Sequence, residues 1–139
     1  MPIQIRRMQP GNDLDFAEIA PEVFDEPIHP ERLEAYLRGP GHLMLLAFDG
    51  GLVVGQCAAV VHYHPDKPTE LYIDEVGTAA THRRQGIASR LVEAMFAWGR
   101  ELGCREAWLG TELDNLEANG LYLKVGGKGE KMVYYEFQL

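Results

Sequence analysis

Long apolar runs are missing from this chain. The longest, Leu43 to Phe48, is a fraction of the roughly 20 residues a membrane span needs, and Met1 to Gln9 carries no apolar signal-peptide stretch. No membrane partner is expected, and the expected location is cytoplasmic. Cysteine is scarce: Cys57 and Cys104 stand far apart with no Cys-x-x-Cys spacing, as suits free thiols in a reducing compartment. Positive charge is in deficit, 13 Lys and Arg against 21 Asp and Glu. The net charge of −8 argues against a nucleic-acid partner, because such binding draws on clustered basic residues. Internal repeats, low-complexity tracts and linker-like stretches are absent too. What is present is 46% apolar residues, enough for the core of a single domain over residues 1–139.

The apolar residues alternate between strand and helix periods along the chain. Ile3 to Met8 reads as an opening strand. Asn12 or Asp13 is placed to cap a helix carrying Leu14, Phe16 and Ile19, which Pro21 ends because it has no backbone N–H to donate. A second helix opens at Pro30, carries Leu33, Tyr36 and Leu37, and stops at Gly39. Leu43 to Phe48 and Leu52 to Tyr63, joined by Asp49-Gly50-Gly51, read as an antiparallel hairpin, with Thr69 to Thr78 as the next strand. From Gln85 the period lengthens. Ile87, Leu91, Met95, Trp98 and Leu102 form the stripe of an amphipathic helix closed by Gly103. Ala107 to Gly110 then reads as a short strand, Asn115 to Val125 as another amphipathic helix and Met132 to Phe137 as a final strand. Strands joined by a helix of that length lie parallel while hairpins supply antiparallel pairs. The fold class is therefore α/β (α+β), with a mixed, mostly antiparallel sheet and flanking helices.

The junction Thr81-His82-Arg83-Arg84-Gln85-Gly86-Ile87-Ala88 carries the most chemical information. Glycine and alanine two apart let a phosphate approach the backbone, the first N–H groups of a helix have no internal partners, and the positive end of the helix dipole lies there. Arg83 and Arg84 add charge. An ordinary exposed basic turn would look alike in isolation, but this one follows a strand and precedes a long helix. The Walker pattern Gly-x-x-x-x-Gly-Lys-Ser/Thr occurs nowhere.

This segment resembles the Arg/Gln-x-x-Gly-x-Gly/Ala signature of the GCN5-related N-acetyltransferase (GNAT) superfamily. Downstream, Asn115-Leu116-Glu117-Ala118-Asn119-Gly120-Leu121-Tyr122-Leu123-Lys124-Val125-Gly126 is similar to the superfamily's Asn-x-x-Ala-x-x-Leu-Tyr-x-Lys-x-Gly helix, and the resemblance spans Leu71 to Gly127. It implies a GNAT fold in which the parallel strands, Thr69 to Thr78 and Ala107 to Gly110, splay apart to admit acetyl-CoA. The pyrophosphate would be held by backbone amides of Arg84, Gln85, Gly86, Ile87, Ala88 and Ser89 beside Arg83, and the pantetheine arm would pair along Val76, Gly77 and Thr78. Thr78 replaces a usual aliphatic residue and Ala80 a frequent proline, departures that leave backbone-mediated binding intact. Gly127 replaces a common aromatic residue and is expected to loosen the packing after the helix.

Acetyl transfer to an amine needs a deprotonated nitrogen near the thioester, a donor for the developing oxyanion and a proton for the departing thiolate. Strict strand alternation puts Asp74 and Glu75 on opposite faces, so only one of them faces the acceptor. Glu75 is favoured as the base, matching a position at which related acetyltransferases often carry an acid, with Asp74 in reserve. The resemblance implies Tyr122 as general acid and the Val76 N–H as carbonyl donor. Asn115 either contacts the cofactor or caps its helix.

Between Asn12 and Glu34 lie eight acids against one base, Arg32, an imbalance that suits a small cationic amine as acceptor. Val23-Phe24-Asp25-Glu26-Pro27-Ile28 with Glu75 is similar to the small aminoglycoside 3-N-acetyltransferases of the GNAT type. That likeness implies that Asp25, Glu26, Asp74 and Glu75 engage ammonium groups. The alternatives are acetylation of a peptide, protein or other small amine, or a non-catalytic acyl-CoA-binding module. His62 and His64 share one side of a strand within range of Cys57 or Glu70, but no Cys/His spacing supports four ligands, so no metal is expected. The aromatic final strand suits a homodimer contact.

Overall fold

The structure, a computed structural model, describes residues 2–139, so that Met1, the first residue of the expected domain, lies outside the described residues. One five-stranded sheet runs in the order β1 (Ile3–Arg7), β2 (His42–Asp49), β3 (Leu52–His62), β4 (Glu70–Thr78) and β5 (Glu106–Trp108). The helices are α1 (Pro30–Arg38), α2 (Ile87–Glu101) and α3 (Leu116–Lys124). All neighbouring strands are antiparallel except β4 and β5, which run parallel across α2, as expected of strands joined by a long helix. β2 and β3 are buried along most of their length because α1 lies on β2 while α2 crosses β2, β3 and β4. Ile87, Leu91, Val92, Met95 and Gly99 form the buried stripe of α2, while Leu102 is an exposed cap residue. Among the described residues no helix is long and apolar enough to cross a membrane, and Cys57 and Cys104 are buried free thiols.

Three elements differ from the sequence reading. The expected helix up to Pro21 is a single 3-10 turn, Asp13–Phe16. Asn12 spends its side chain accepting from the Gln9 N–H at 2.8 Å, and the chain beyond is drawn into the sheet. There Val53 N–H donates to Glu18, Ala20 N–H donates to Val53, and Ile19 forms an isolated parallel bridge with Val53. β5 begins one residue early and stops at Trp108, short of Gly110. Among the described residues Met132 to Phe137 forms no strand and pairs with none, and its side chains are exposed.

Gly127 also behaves differently. It donates to the Tyr122 carbonyl at 2.9 Å while Gly126, at φ 96°, turns the chain out of α3. A Cβ at Gly127 would stand 2.9 Å from that carbonyl. The glycine therefore closes the end of α3 tightly, where loosened packing is the expectation from its sequence.

Candidate active site

The turn between β4 and α2 is built to leave amides free. Gly86 caps α2 in the left-handed region at φ 74°, and Arg84 shares that region at φ 63°, a conformation that costs a non-glycine residue about 1–2 kcal/mol. No atom lies within 4 Å of where a Gly86 Cβ would stand. The first backbone bond of the helix runs from Arg90 N–H to the Gly86 carbonyl at 3.0 Å, so the N–H groups of Ile87, Ala88 and Ser89 have no intrahelical partner. Arg83 reaches Glu22 at 3.5 Å. His82, held by Thr81 Oγ1 at 2.7 Å and Asp49 Oδ2 at 2.8 Å, ties this turn to the end of β2.

β4 and β5 pair only at Glu70 with Glu106, Leu71 with Ala107 and Tyr72 with Trp108. From Ile73 to Thr78 the same edge of β4 has no neighbouring strand, and the parallel pair splays. A cavity of about 440 Å³ fills the opening, bounded by Val76 to Thr78, by Arg83, Arg84 and Gly86 to Ser89, and by Asn115 and Tyr122 of the α3 side. Gln85 is exposed and does not line it. The Thr78 Oγ1 atom is buried without a hydrogen-bond partner, on the cavity wall. Asn115 both lines the cavity and caps α3, accepting from Ala118 N–H at 3.0 Å. Tyr122 is half-buried, and burial, followed by nearby Cys57, raises its phenol pKa. The Cys57 thiol is itself pushed up to about 12 by burial.

A second surface lies on the other side of the free edge. Gly77 passes so close to the Val23 carbonyl that a Cβ would overlap it, and buried Gln56 donates to the same carbonyl at 3.3 Å. That clamp fastens the segment carrying Asp25 and Glu26 against β4. β3 and β4 slip by one residue there: Ala58 faces Glu75 and Ala59 faces Ile73, leaving Asp74 as the extra residue of a bulge. Leu71 packs against Gly99 of α2, and Ile73 lies on its face, so Tyr72 and Asp74 take the opposite one, where burial and then the Asp74 charge raise the Tyr72 phenol pKa. Gly77 meets Val23 on that opposite face, and Glu75, two residues before it, shares it. The bulge therefore overturns the alternation argument, and both carboxyls lie on the face turned to the Val23 segment.

The electrostatics follow from this geometry. Burial raises the Glu75 pKa first, and Asp25, which shares a hydrogen bond with it, and Asp74 raise it further. Asp25, Glu26 and Asp74 are exposed. Tyr36 of α1 donates to the Leu43 carbonyl at 2.6 Å. Its phenol pKa is raised chiefly by burial, with Asp74 and Glu75 within electrostatic reach.

Tyr36, Gln56 and Glu22 carry no sequence signal for the site, and His82, within the junction that does, shows none of its tie to Asp49. Tyr36 is indistinguishable from a core residue of its helix, and the others reach the site only through tertiary contacts. At the far end of β3, His62, His64 and Glu70 bring potential ligand atoms within 4.8 Å of one another. His64 Nε2 lies 3.2 Å from Glu70, and the two imidazole rings are 4.2 Å apart. Cys57 is not part of that group.

Comparison with known proteins places these features among relatives. Residues 13–127 match the family model described as Acetyltransferase (GNAT) family. The aminoglycoside N(6′)-acetyltransferase type 1 of Serratia marcescens is 26% identical over 113 residues, covering 77% of each chain. Its namesake from Acinetobacter haemolyticus is 24% identical over 115 residues, covering 79% of each. An aminoglycoside acetyltransferase from an uncultured soil sample, crystallised with sisomicin, superposes with a TM-score of 0.86 at 18% identity, covering 99% of this chain and 96% of that one. AAC(6′)-Iy, in complex with a CoA–acetylneamine bisubstrate analogue, superposes with a TM-score of 0.82 at 19% identity over the whole of both chains. These superpositions establish a shared fold, a five-stranded mixed sheet with flanking helices.

Proposed function

We propose, from the premise that the chain belongs to the acetyltransferase (GNAT) family and transfers acetyl groups to amines, that its donor is acetyl-CoA and its acceptor an aminoglycoside. The observation that carries this reading is the placing of Asp25, Asp74 and Glu75 on one face of a strand whose free edge leads to a turn of unpaired amides. One side of β4 suits a polycation and its end suits a diphosphate.

The residues present fit acetyl-CoA. Free amides at Ile87 to Ser89 suit its pyrophosphate, and the open edge at Val76 to Thr78, with the unpartnered Thr78 Oγ1, suits an amide-bearing arm. Bound there, acetyl-CoA supplies a thioester carbonyl open to attack by an amine. Glu75, with its pKa raised, takes a proton from the acceptor ammonium, and Asp25 and Asp74 hold neighbouring ammonium groups. The Val76 N–H would serve as donor to the oxyanion formed on the thioester, and Tyr122, whose phenol pKa burial raises, would supply the proton for the thiolate leaving group. Asn115 fixes the start of the helix that carries Tyr122.

The relatives' names favour the 6′ nitrogen, whereas the short Val23 to Ile28 segment resembles enzymes acting at the 3-nitrogen. The longer match carries more weight, and we take 6′ as the site of transfer. Thiol release from acetyl-CoA, measured with kanamycin- and gentamicin-class amines beside a panel of lysine peptides, tests the acceptor class. Tandem mass spectrometry of the product locates the acetyl group by ring. Transfer to peptides alone would reject the aminoglycoside reading, and an acetyl group on the 3-nitrogen would reject the 6′ assignment.

A further inference from the structure

His62, His64 and Glu70 gather at the end of the sheet away from the α2 turn. His62 closes β3 and faces Glu70, the first residue of β4, across the ladder. His64 stands two residues further, the spacing that returns a side chain to the same side of an extended chain, and the two rings lie 4.2 Å apart. One potential ligand atom from each of the three lies within 4.8 Å of the other two. His64 Nε2 is buried and makes no hydrogen bond, although Glu70 Oε1 is 3.2 Å away. A buried ring nitrogen left in that state is rare in folded chains, and a bound ion is one of the few things that explains it. The setting is stiff. Pro65 and Pro68 restrict the connecting loop, and Arg105 N–H donates to the Thr69 carbonyl at 2.9 Å, next to Glu70.

We propose that His62, His64 and Glu70 bind a zinc ion, each imidazole supplying one nitrogen, Glu70 one carboxylate oxygen, and water the fourth corner. Such ligands stand about 2.0–2.2 Å from zinc, so two corners of the tetrahedron lie about 3.3–3.6 Å apart. The His64 to Glu70 separation of 3.2 Å is already close to that size. His62 is exposed, and its ring swings the remaining distance without disturbing the core. Two nitrogens and one oxygen favour a transition ion such as zinc over magnesium or calcium, which take oxygen ligands. The expectation of no metal rested on the lack of a four-ligand Cys/His pattern, and three protein ligands with water need none. Glu75 lies five residues further along β4, about 17 Å at the rise of a strand, so the ion is separate from the acceptor carboxyls and cross-links the β3 to β4 hairpin.

Calorimetric titration of zinc chloride into the full chain, free of a histidine tag and stripped with chelator, should show one equivalent bound at micromolar concentration. The imidazole magnetic resonances of His62 and His64 should shift in step, and those of His29, His42 and His82 should not. His64→Ala and Glu70→Ala should each weaken binding by about 100-fold or more, since losing even an outer-sphere partner costs roughly 10–100-fold. Zinc at about 100 times its Kd should raise the parent Tm by roughly 5–10 °C and leave that of His64→Ala unmoved. Magnesium chloride should reproduce neither effect. Three results overturn the proposal: no binding at micromolar zinc, undiminished affinity in either variant, or resonance shifts confined to the other three histidines, which would mark adventitious surface binding. If a variant does not fold, the ring resonances of the unaltered chain decide alone.

Discussion

In the proposed reaction, Glu75 is the residue on which the chemistry turns. Its carboxyl is held above the ordinary glutamate range by burial and by the negative charges of Asp25 and Asp74, so it is a better proton acceptor than a free carboxylate. Glu75→Gln should lower kcat by about 100- to 10,000-fold while leaving acetyl-CoA affinity near that of the parent. The pH profile of kcat/KM should show an acid limb above the ordinary glutamate range in the parent and none in the variant. Stability should move the other way. The folded state binds the Glu75 proton more tightly than the unfolded chain, so its stabilising contribution is present at low pH and lost as pH rises through the folded value. Glutamine cannot ionise, and the melting temperature of Glu75→Gln should therefore exceed the parent's at neutral pH and converge with it in acid. A Tm difference that grows on acidification would contradict the assigned burial of the carboxyl. Tyr122→Phe should likewise cut kcat without weakening coenzyme A binding, measured by calorimetry, because the phenyl ring preserves the packing of α3 and only the proton-bearing hydroxyl is lost.

At the scale of elements, the site depends on one clamp and one slipped register. The clamp is Gly77 under the Val23 carbonyl. Gly77→Ala must push the Val23 segment away, carrying Asp25 from Glu75, at about 1–3 kcal/mol and a Tm loss of roughly 3–12 °C, with kcat/KM falling too. Gly129→Ala, where nothing lies within 4 Å, is the control and should change neither. The α2 turn was legible from sequence because Gly86 and the helix stripe are local signals. The slipped register was not, since a bulge at Asp74 depends on how β3 pairs across from it, and no residue type there announces it. The same cause explains the missing helix after Asn12: the propensities of Leu14 to Ile19 permit a helix, but hydrogen bonds to Val53, far along the chain, win. Met132 to Phe137 reads as a strand from its residue types and forms none among the described residues, because strand-favouring side chains show what a segment suits and not whether a partner strand is within reach.

For the whole molecule, the net charge of −8 acts oppositely on the two substrates. The excess sits largely between Asn12 and Glu34, where eight acids face one base, and the clamp at Val23 brings part of that segment against β4 beside Glu75. A polycationic acceptor is drawn toward it over distances of about the Debye length, ~8 Å at physiological salt, whereas acetyl-CoA, an anion, is repelled by the molecule at range and held only on reaching the α2 turn. Raising the salt concentration screens both effects. kcat/KM for an aminoglycoside should therefore fall steeply with sodium chloride, and for a monoamine acceptor only slightly, while the long-range penalty on acetyl-CoA encounter relaxes. Asp25→Asn with Glu26→Gln should flatten the aminoglycoside dependence, raising KM about 10-fold or more at low salt, in keeping with about 1.5–3 kcal/mol for a lost charge-assisted contact, and converge on the parent at high salt. Steady-state kinetics across a salt series, with the amine varied at saturating acetyl-CoA, reads this directly. An aminoglycoside kcat/KM indifferent to salt would mean that recognition is confined to screened, short-range contacts and that the acidic front of the molecule plays no part in capture.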